Sequence, residues 1–418
     1  MGLTAEAGLL GAAVLFLLNV LFIPASAMVA MSIILVVCSS TYLEGTASTG
    51  LSEIVRFASV LVLAGVIWNP AVQVPSGELR QVPNCIQFVR ALTATIVAYL
   101  AFSTVGHGMY WEFLLYIAGA VLAVIYGSIF VRWIPGAQIR NGVFVALLLV
   151  MSGSVAFGLL RPSDGLLGDR LRGLTVNPNL LGFYTVLTFA LILSYQRFNS
   201  WLFAAGAVTG VALVWSGSRA ALVATVLLVT ANLALRRGPL RPLWLLLGMS
   251  SLVLVLAHPG WVTESDLTIL RSNNSRTDSY EYTMAVLKGT EWRGIGLDAE
   301  VVQVASTPLR ALTHAGLVGG IVILAMYAVI IYCSAKVGRR TLLFAGAMVV
   351  HSFFEGWLLT PVGPMTMCFL ATWCALAKCE SAASAPAAHG WSSWLRRRAV
   401  GSAGSGLVLA QHPTSNSP

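Results

Sequence analysis

Long apolar runs, separated by short polar connectors, organise almost the whole chain. A bilayer core of about 30 Å takes about 20 apolar residues in a helix. On that ruler the runs predict helical segments near 8–23, 27–43, 52–69, 87–104, 111–131, 142–160, 178–195, 200–215, 219–235, 241–257, 309–334, 341–359 and 363–378. Only Pro24-Ala25-Ser26 separates the first two, so the count is twelve or thirteen. The expected fold is all-α, a polytopic membrane protein with about 12–13 transmembrane helices. Its helical domain covers 1–378 and includes one larger extracytoplasmic loop at about 258–308. The tail at 379–418 is rich in Ala, Ser, Gly and Pro around Trp391, Trp394 and Arg396 to Arg398. It is expected to be disordered and cytoplasmic, with a basic-aromatic patch suited to anionic membrane lipids.

Composition sharpens this picture. With its 39 glycines the chain is about 66% apolar, against 45–50% for soluble domains, and only 10% charged, against about 25%. So few charges cannot coat a water-soluble globule. The net charge of +9 does not indicate a nucleic-acid partner, because the basic residues lie in connectors and not on one face. The six cysteines form no CxxC pair and mostly sit in apolar runs, as small buried hydrophobes do. No Walker, zinc-spacing or dinucleotide motif is present, and no cofactor or metal is expected. Ala25-Ser26-Ala27 mimics a signal-peptidase site, but the run before it has Glu6 and no basic residue, so the first segment is expected to remain uncleaved.

Basic residues in short loops mark the cytoplasmic side. One set of connectors carries Arg132, Arg140, Arg197, Arg236, Arg237, Arg241, Lys336, Arg339, Arg340, Lys378 and Arg396 to Arg398, against the single acid Glu380. The alternate set, 161–177, 216–218, 258–308 and 360–362, holds nine acids against nine basic residues once adjoining helix ends are included. The first set is therefore expected inside, with the C-terminus, and the second outside, in a multi-pass protein of the plasma membrane.

Arginines on the outer side run against that bias. Arg161, Arg170 and Arg172 crowd one loop, Arg219 opens the next outer helix, and Arg271 and Arg276 lie in the long outer segment. Snorkelling, or pairing with Asp164, Asp169, Asp278 and Glu281, accounts for most of them. Arg172 and Arg219 have more telling surroundings. Arg172 precedes Gly173 and the turn-forming Asn177-Pro178-Asn179 at a helix start, and Arg219 follows the N-capping run Ser216-Gly217-Ser218. A helix N-terminus beside a guanidinium suits an anion, and the guanidinium fork can hold phosphate through two bonds. Two such sites at one membrane face fit a diphosphate at headgroup depth, as in a lipid-linked sugar.

These motifs resemble those of the O-antigen ligase and polysaccharide polymerase superfamily. Leu171-Arg172-Gly173 through Asn177-Pro178-Asn179 to Gly182 is similar to its Arg-Gly…Asn-Pro-Asn segment, and Ser216-Gly217-Ser218-Arg219 to its Ser-Arg helix opening. Asn274-Ser275-Arg276, Gly294-Ile295-Gly296-Leu297 and Leu309 to Gly320 resemble its outer-loop pattern and the helix that follows. The resemblance covers about 140–375. It implies a metal-independent glycosyltransferase at the outer face, moving glycan from a polyprenyl-diphosphate carrier to a glycan or lipid acceptor. It also implies Arg172, Arg219 and Arg276, with Asn179, as diphosphate ligands. Ligases of the family usually place a His about eleven residues before the position of Gly316, and here Val304-Ala305-Ser306-Thr307-Pro308 contains none.

Three substitutes for that base stand out: His314, Glu281 and Glu355. A lone His in an apolar helix is commonly structural. Glu281 pairs with Asp278 on one face if its segment is helical. Glu355 lies four residues after His351 in an apolar run and is expected near the outer end of its helix, because a charge at mid-membrane is costly. Two other functions use the same residues: a small-anion or glycolipid transporter, and a non-catalytic scaffold for envelope assembly.

Overall fold

A computed structural model describes residues 23–39, 49–69, 72, 74, 82–195, 199–234, 275–297, 301, 304, 306–360 and 363–384. The expected segments at 8–23 (apart from Ile23) and 241–257, most of the 258–308 loop and the tail beyond Ser384 lie outside these residues. So do Arg197 and Arg271.

The described residues are mostly helical. In order they form α1 (Ala25–Cys38), α2 (Thr49–Ala64, extended by a 3-10 turn at Gly65–Trp68), α3 (Val82–Thr104), α4 (Tyr110–Trp133) and α5 (Gly136–Leu160). A short hairpin follows, β1 (Leu166–Leu167) and β2 (Arg170–Leu171), then α6 (Pro178–Ser194), α7 (Ser200–Ser216) and α8 (Arg219–Ala234). After the undescribed stretch come α9 (Ser275–Gly289), α10 (Thr307–Val337), α11 (Arg339–Phe354) and α12 (Pro364–Ser384). Among the described residues, four helices are long and apolar enough to cross a membrane: Pro83–His107, Tyr110–Trp133, Gly136–Leu160 and Thr307–Val337. Other apolar helices, among them α6, α7 and α8, are shorter, at 10–17 residues.

The core follows from the apolar runs. α6 packs against α5, α7, α8 and α12. It is buried on nearly every side, with Leu181, Phe183, Tyr184, Val186, Leu187 and Leu191 fully covered. An all-round apolar sequence belongs at the centre of a bundle. α5 lies beside it, against α1, α7 and α12.

Side-chain contacts sort the helix ends into two rims. At one, Arg170 joins the hairpin to the start of α6 and the end of α7. This is the hairpin rim. At the opposite rim Arg340 donates to the Ser194 carbonyl at 3.1 Å, fastening the start of α11 to the end of α6. There Glu380 accepts the Arg340 and Thr341 amides of α11 at 2.9 and 3.0 Å, a remote carboxylate cap on an N-terminus. Lys378, 1% exposed, donates to the Val131 carbonyl at 3.1 Å and to that of Ile134, where the last turn of α4 leaves carbonyls unbonded. The helix ends at Trp133 and Gly136, at Ser194, and at Val337 and Arg339 thus share one rim, and the connectors at 161–177 and 216–218 share the other.

One expected helix differs. The apolar run at 309–334 reads as continuous, but α10 is broken at Gly316 (φ 61°, ψ −148°). Beyond the break the chain folds back so closely that a β-carbon on Gly319 would meet the Ala311 carbonyl oxygen at 2.1 Å. The glycines of 316–320 therefore serve a sharp bend as well as packing.

Candidate functional site

The 161–177 connector is a packed structure. It folds over the end of α5 into a notch of small residues: Gly165 abuts Gly158, and the Leu174 N–H donates to Ser154 Oγ at 3.1 Å. Gly173 has φ +57°, and a β-carbon there would lie 2.2 Å from Ser154 Cβ, so this turn needs glycine twice over. Leu166 pairs with Leu171 and Leu167 with Arg170, with Gly168 (φ +61°) in the first turn position. Strand alternation sends Leu171 into the core and turns Arg170 and Arg172 to the other face.

Arg170 ties the site together. Its Nη2 donates to Asn179 Oδ1 at 2.6 Å and its Nε to the Ser216 carbonyl at 2.8 Å. It therefore satisfies a carbonyl at the end of α7 and fixes the Asn179 amide. A guanidinium only donates, so Asn179 presents its oxygen to Arg170 and turns its NH2 elsewhere.

Arg172 is held by its Nε, which donates to the Asp164 carbonyl at 2.8 Å. Asn177 caps α6, its Oδ1 accepting the Leu180 N–H at 2.9 Å, and Pro178 fills the first helical position. Pro178 has no N–H and Leu180 is already capped, so the Asn179 amide is what the α6 N-terminus can offer an anion. Free helix amides therefore contribute less here than the sequence suggested. The α7–α8 connection is Gly217, in the left-handed region, followed by Ser218, whose Oγ accepts the Ala221 N–H at 3.4 Å. Arg219, half-buried, opens α8. The two helix starts touch, since a β-carbon on Gly182 would lie 2.5 Å from Ser218 Cβ. The stretches bearing Arg170, Arg172, Asn179 and Arg219 thus meet at one rim.

The base candidates separate. Glu355 follows α11 at the hairpin rim, half-buried, and its carbonyl accepts the Thr307 hydroxyl at 2.7 Å. α11 packs on α8, and the two are antiparallel, so Glu355 and Arg219 close the same end of one helix pair. Glu281 is exposed on α9, whose opposite face is buried and bonds through Thr283 to Thr313 at 3.0 Å. Arg276 lies in the first turn of α9, and its side chain is outside the described residues. His314 is 1% exposed, its Nδ1 sharing a 2.6 Å hydrogen bond with the hydroxyl of buried Tyr99. His351, fully buried, lies against the Phe183 ring at 5.4 Å.

A second construction surrounds His314. After α9, Glu291 and Trp292 both take positive φ, a strain of about 1–3 kcal/mol each, and aim an extended segment at the break in α10. There the Ile295 N–H donates to the Thr313 carbonyl (2.9 Å), Gly296 N–H to the His314 carbonyl (3.0 Å) and Leu317 N–H to the Trp292 carbonyl (3.1 Å). The broken helix thus recovers the backbone bonds its bend gives up. Gly294 and Gly296 allow this approach: β-carbons there would meet the His314 carbonyl oxygen at 2.6 Å and the His107 ring at 3.0 Å.

Among the described residues, no three His, Cys, Asp or Glu side chains gather as a metal-holding group. No protein-family model matches the chain, and a search of curated proteins finds no match to it.

Proposed function

We propose that the chain is a membrane glycosyltransferase of the O-antigen ligase or polymerase type. On this reading twelve or thirteen helices span the plasma membrane, with the hairpin rim extracytoplasmic and the C-terminus cytoplasmic. The rim takes glycan from a polyprenyl-diphosphate carrier. The observation that supports the proposal is the meeting of two helix starts at Gly182 and Ser218, which gathers the arginine-bearing stretches at one rim of the bundle.

The chemistry follows from the charges. The acceptor hydroxyl oxygen attacks the anomeric carbon, whose bond to the diphosphate oxygen breaks. The proton passes to a base, and the polyprenyl diphosphate leaves with one more negative charge. Arg172 and Arg219, with Arg276, stabilise that growing charge, the usual leading contribution in such transfers. Arg170 fixes Asn179 so that its NH2 faces the diphosphate. Of the candidates His314, Glu281 and Glu355, Glu355 best fits the base, because it shares the end of the α8–α11 pair with Arg219.

The test is mass spectrometry of lipid-linked and surface glycans in cells with and without the gene, and of the purified chain given polyprenyl-diphosphate oligosaccharide and acceptor. Loss of longer chains assigns a polymerase, and accumulation of carrier-bound chains assigns a ligase. Unchanged glycans, with labelled anion crossing proteoliposomes in a chain-dependent way, would replace this reading with the transporter.

A further inference from the structure

At the opposite rim the outer surface of α3 and α4 carries a groove of about 620 Å³, lined by Pro83, Ile86, Gln87, Arg90, Ala91, Ala94 and Arg132. Two features make it unusual for a surface turned to lipid. Ala91 and Ala94 leave a shallow, largely apolar trough, and two arginines from antiparallel neighbouring helices flank it. Both arginines are exposed, and among the described residues neither has an ion-pair or hydrogen-bond partner.

Depth decides what can lie there. Arg132 ends α4 beside Trp133, which is 46% exposed, as an interfacial anchor would be. Arg90 stands eight residues into α3, about 12 Å from its start, on an apolar helix face. Sharing the groove with Arg132, it stands near the same interfacial level, where two neighbouring guanidinium groups without a protein partner among the described residues favour an anion between them. The groove opens to the exterior of the bundle, so an occupant comes from the surrounding leaflet. We infer that it binds an anionic phospholipid, whose phosphate sits between Arg90 and Arg132 with Gln87 donating beside them, and whose acyl chain lies along Ala91 and Ala94. Basic pockets between membrane helices take acidic headgroups in this way. The groove lies at the far end of the bundle from the glycan-transfer rim, and the inference is independent of that reading.

The test uses the full chain in nanodiscs of equal parts phosphatidylcholine and phosphatidylglycerol, with native mass spectrometry of the lipids it retains. Wild type is expected to keep phosphatidylglycerol in preference to phosphatidylcholine. The Arg90→Gln/Arg132→Gln variant is expected to hold it roughly thirtyfold more weakly, the loss of two arginine contacts. Arg140→Gln, on the same rim but stacked over Tyr195 with 4.0 Å to the ring centroid, is expected to bind as wild type. Should the double variant fail to fold, Ala94→Leu fills the trough from an exposed helical position and is expected to lower retention. Equal retention of both lipids by wild type overturns the site. So does wild-type retention in the variants that remove the arginines or fill the trough, or a loss that Arg140→Gln reproduces.

Discussion

Gly182 and Ser218 lie in contact: a β-carbon on residue 182 would come within 2.5 Å of Ser218 Cβ, 2.8 Å of its hydroxyl oxygen and 2.9 Å of Ala221 Cβ. This joins the first turns of α6 and α8, and with them the stretches bearing Asn179 and Arg219. Gly182→Ala is therefore expected to force the two helix starts apart, at about 1–3 kcal/mol, as overpacking does elsewhere. Thermal unfolding in detergent measures that cost. Glycan transfer should fall further than the lost stability accounts for, because the diphosphate ligands separate. A variant with both properties at wild-type level would show that the contact does not set the site.

The loop arginines should divide by role. Arg170 bonds within the protein on both sides, to Asn179 and to Ser216, so Arg170→Ala should cost about 1.5–3 kcal/mol of stability as well as activity. Arg172→Ala, which loses its bond to the Asp164 carbonyl, should cost stability too, but both it and Arg219→Ala should abolish transfer beyond what any loss of folded protein accounts for, while the chain still inserts in the membrane. Lysine at either position should rescue poorly, since it lacks the paired geometry. Melting curves beside transfer assays on all three variants check the division, and full transfer in Arg172→Ala and Arg219→Ala would falsify the diphosphate role.

The helices were legible because a 20-residue apolar run has few alternatives. The run at 178–195 became Pro178–Ser194 and that at 200–215 became Ser200–Ser216. Caps were legible for local reasons, as at Ser218, whose side chain meets an amide three residues on. What stayed hidden depended on distant partners. Nothing in residues 309–334 announces a break at Gly316, because the backbone that fills it arrives from Trp292–Gly296. His314 could not be placed without Tyr99, 215 positions away, and Glu380 could not be read as the cap of α11 from its own neighbours. The Arg170 strut was not legible: 161–177 reads only as a connector, and Ser216, its second partner, lies at the far end of α7.

Glycines give a contrast that tests the bend. At Gly316 the backbone occupies a region essentially reserved for glycine, and a β-carbon would lie 1.9 Å from the Trp292 carbonyl oxygen. Gly316→Ala should therefore be among the most damaging single substitutions, displacing the Trp292–Gly296 segment and lowering stability by several kcal/mol. Gly346, in the middle of α11, has nothing within 4 Å of where its β-carbon would stand. Gly346→Ala should be neutral or stabilising by about 0.5–1 kcal/mol, through helix propensity alone. Paired unfolding curves decide the matter, and similar behaviour of the two variants would remove the argument for a bend that requires glycine.

The choice of base rests on separating burial from chemistry. His314 shares its Nδ1 bond with Tyr99 in an interior that excludes solvent, so its visible work is to hold α10 against α3. Tyr99→Phe removes that bond and leaves a buried imidazole nitrogen without this partner, which should cost about 1–3 kcal/mol. If the histidine is structural, transfer in Tyr99→Phe should drop only as the folded fraction drops. Glu355→Gln keeps shape and volume, and the Thr307 bond goes to the Glu355 carbonyl, which the substitution leaves in place. Its transfer should fall about 10²–10⁴-fold, the usual contribution of a positioned base, and by more than any change in its melting point accounts for. The opposite pattern, a stable His314→Gln that has lost transfer beside an active Glu355→Gln, would move the proton to His314. It would then require the Tyr99 side of the bundle to open to the acceptor.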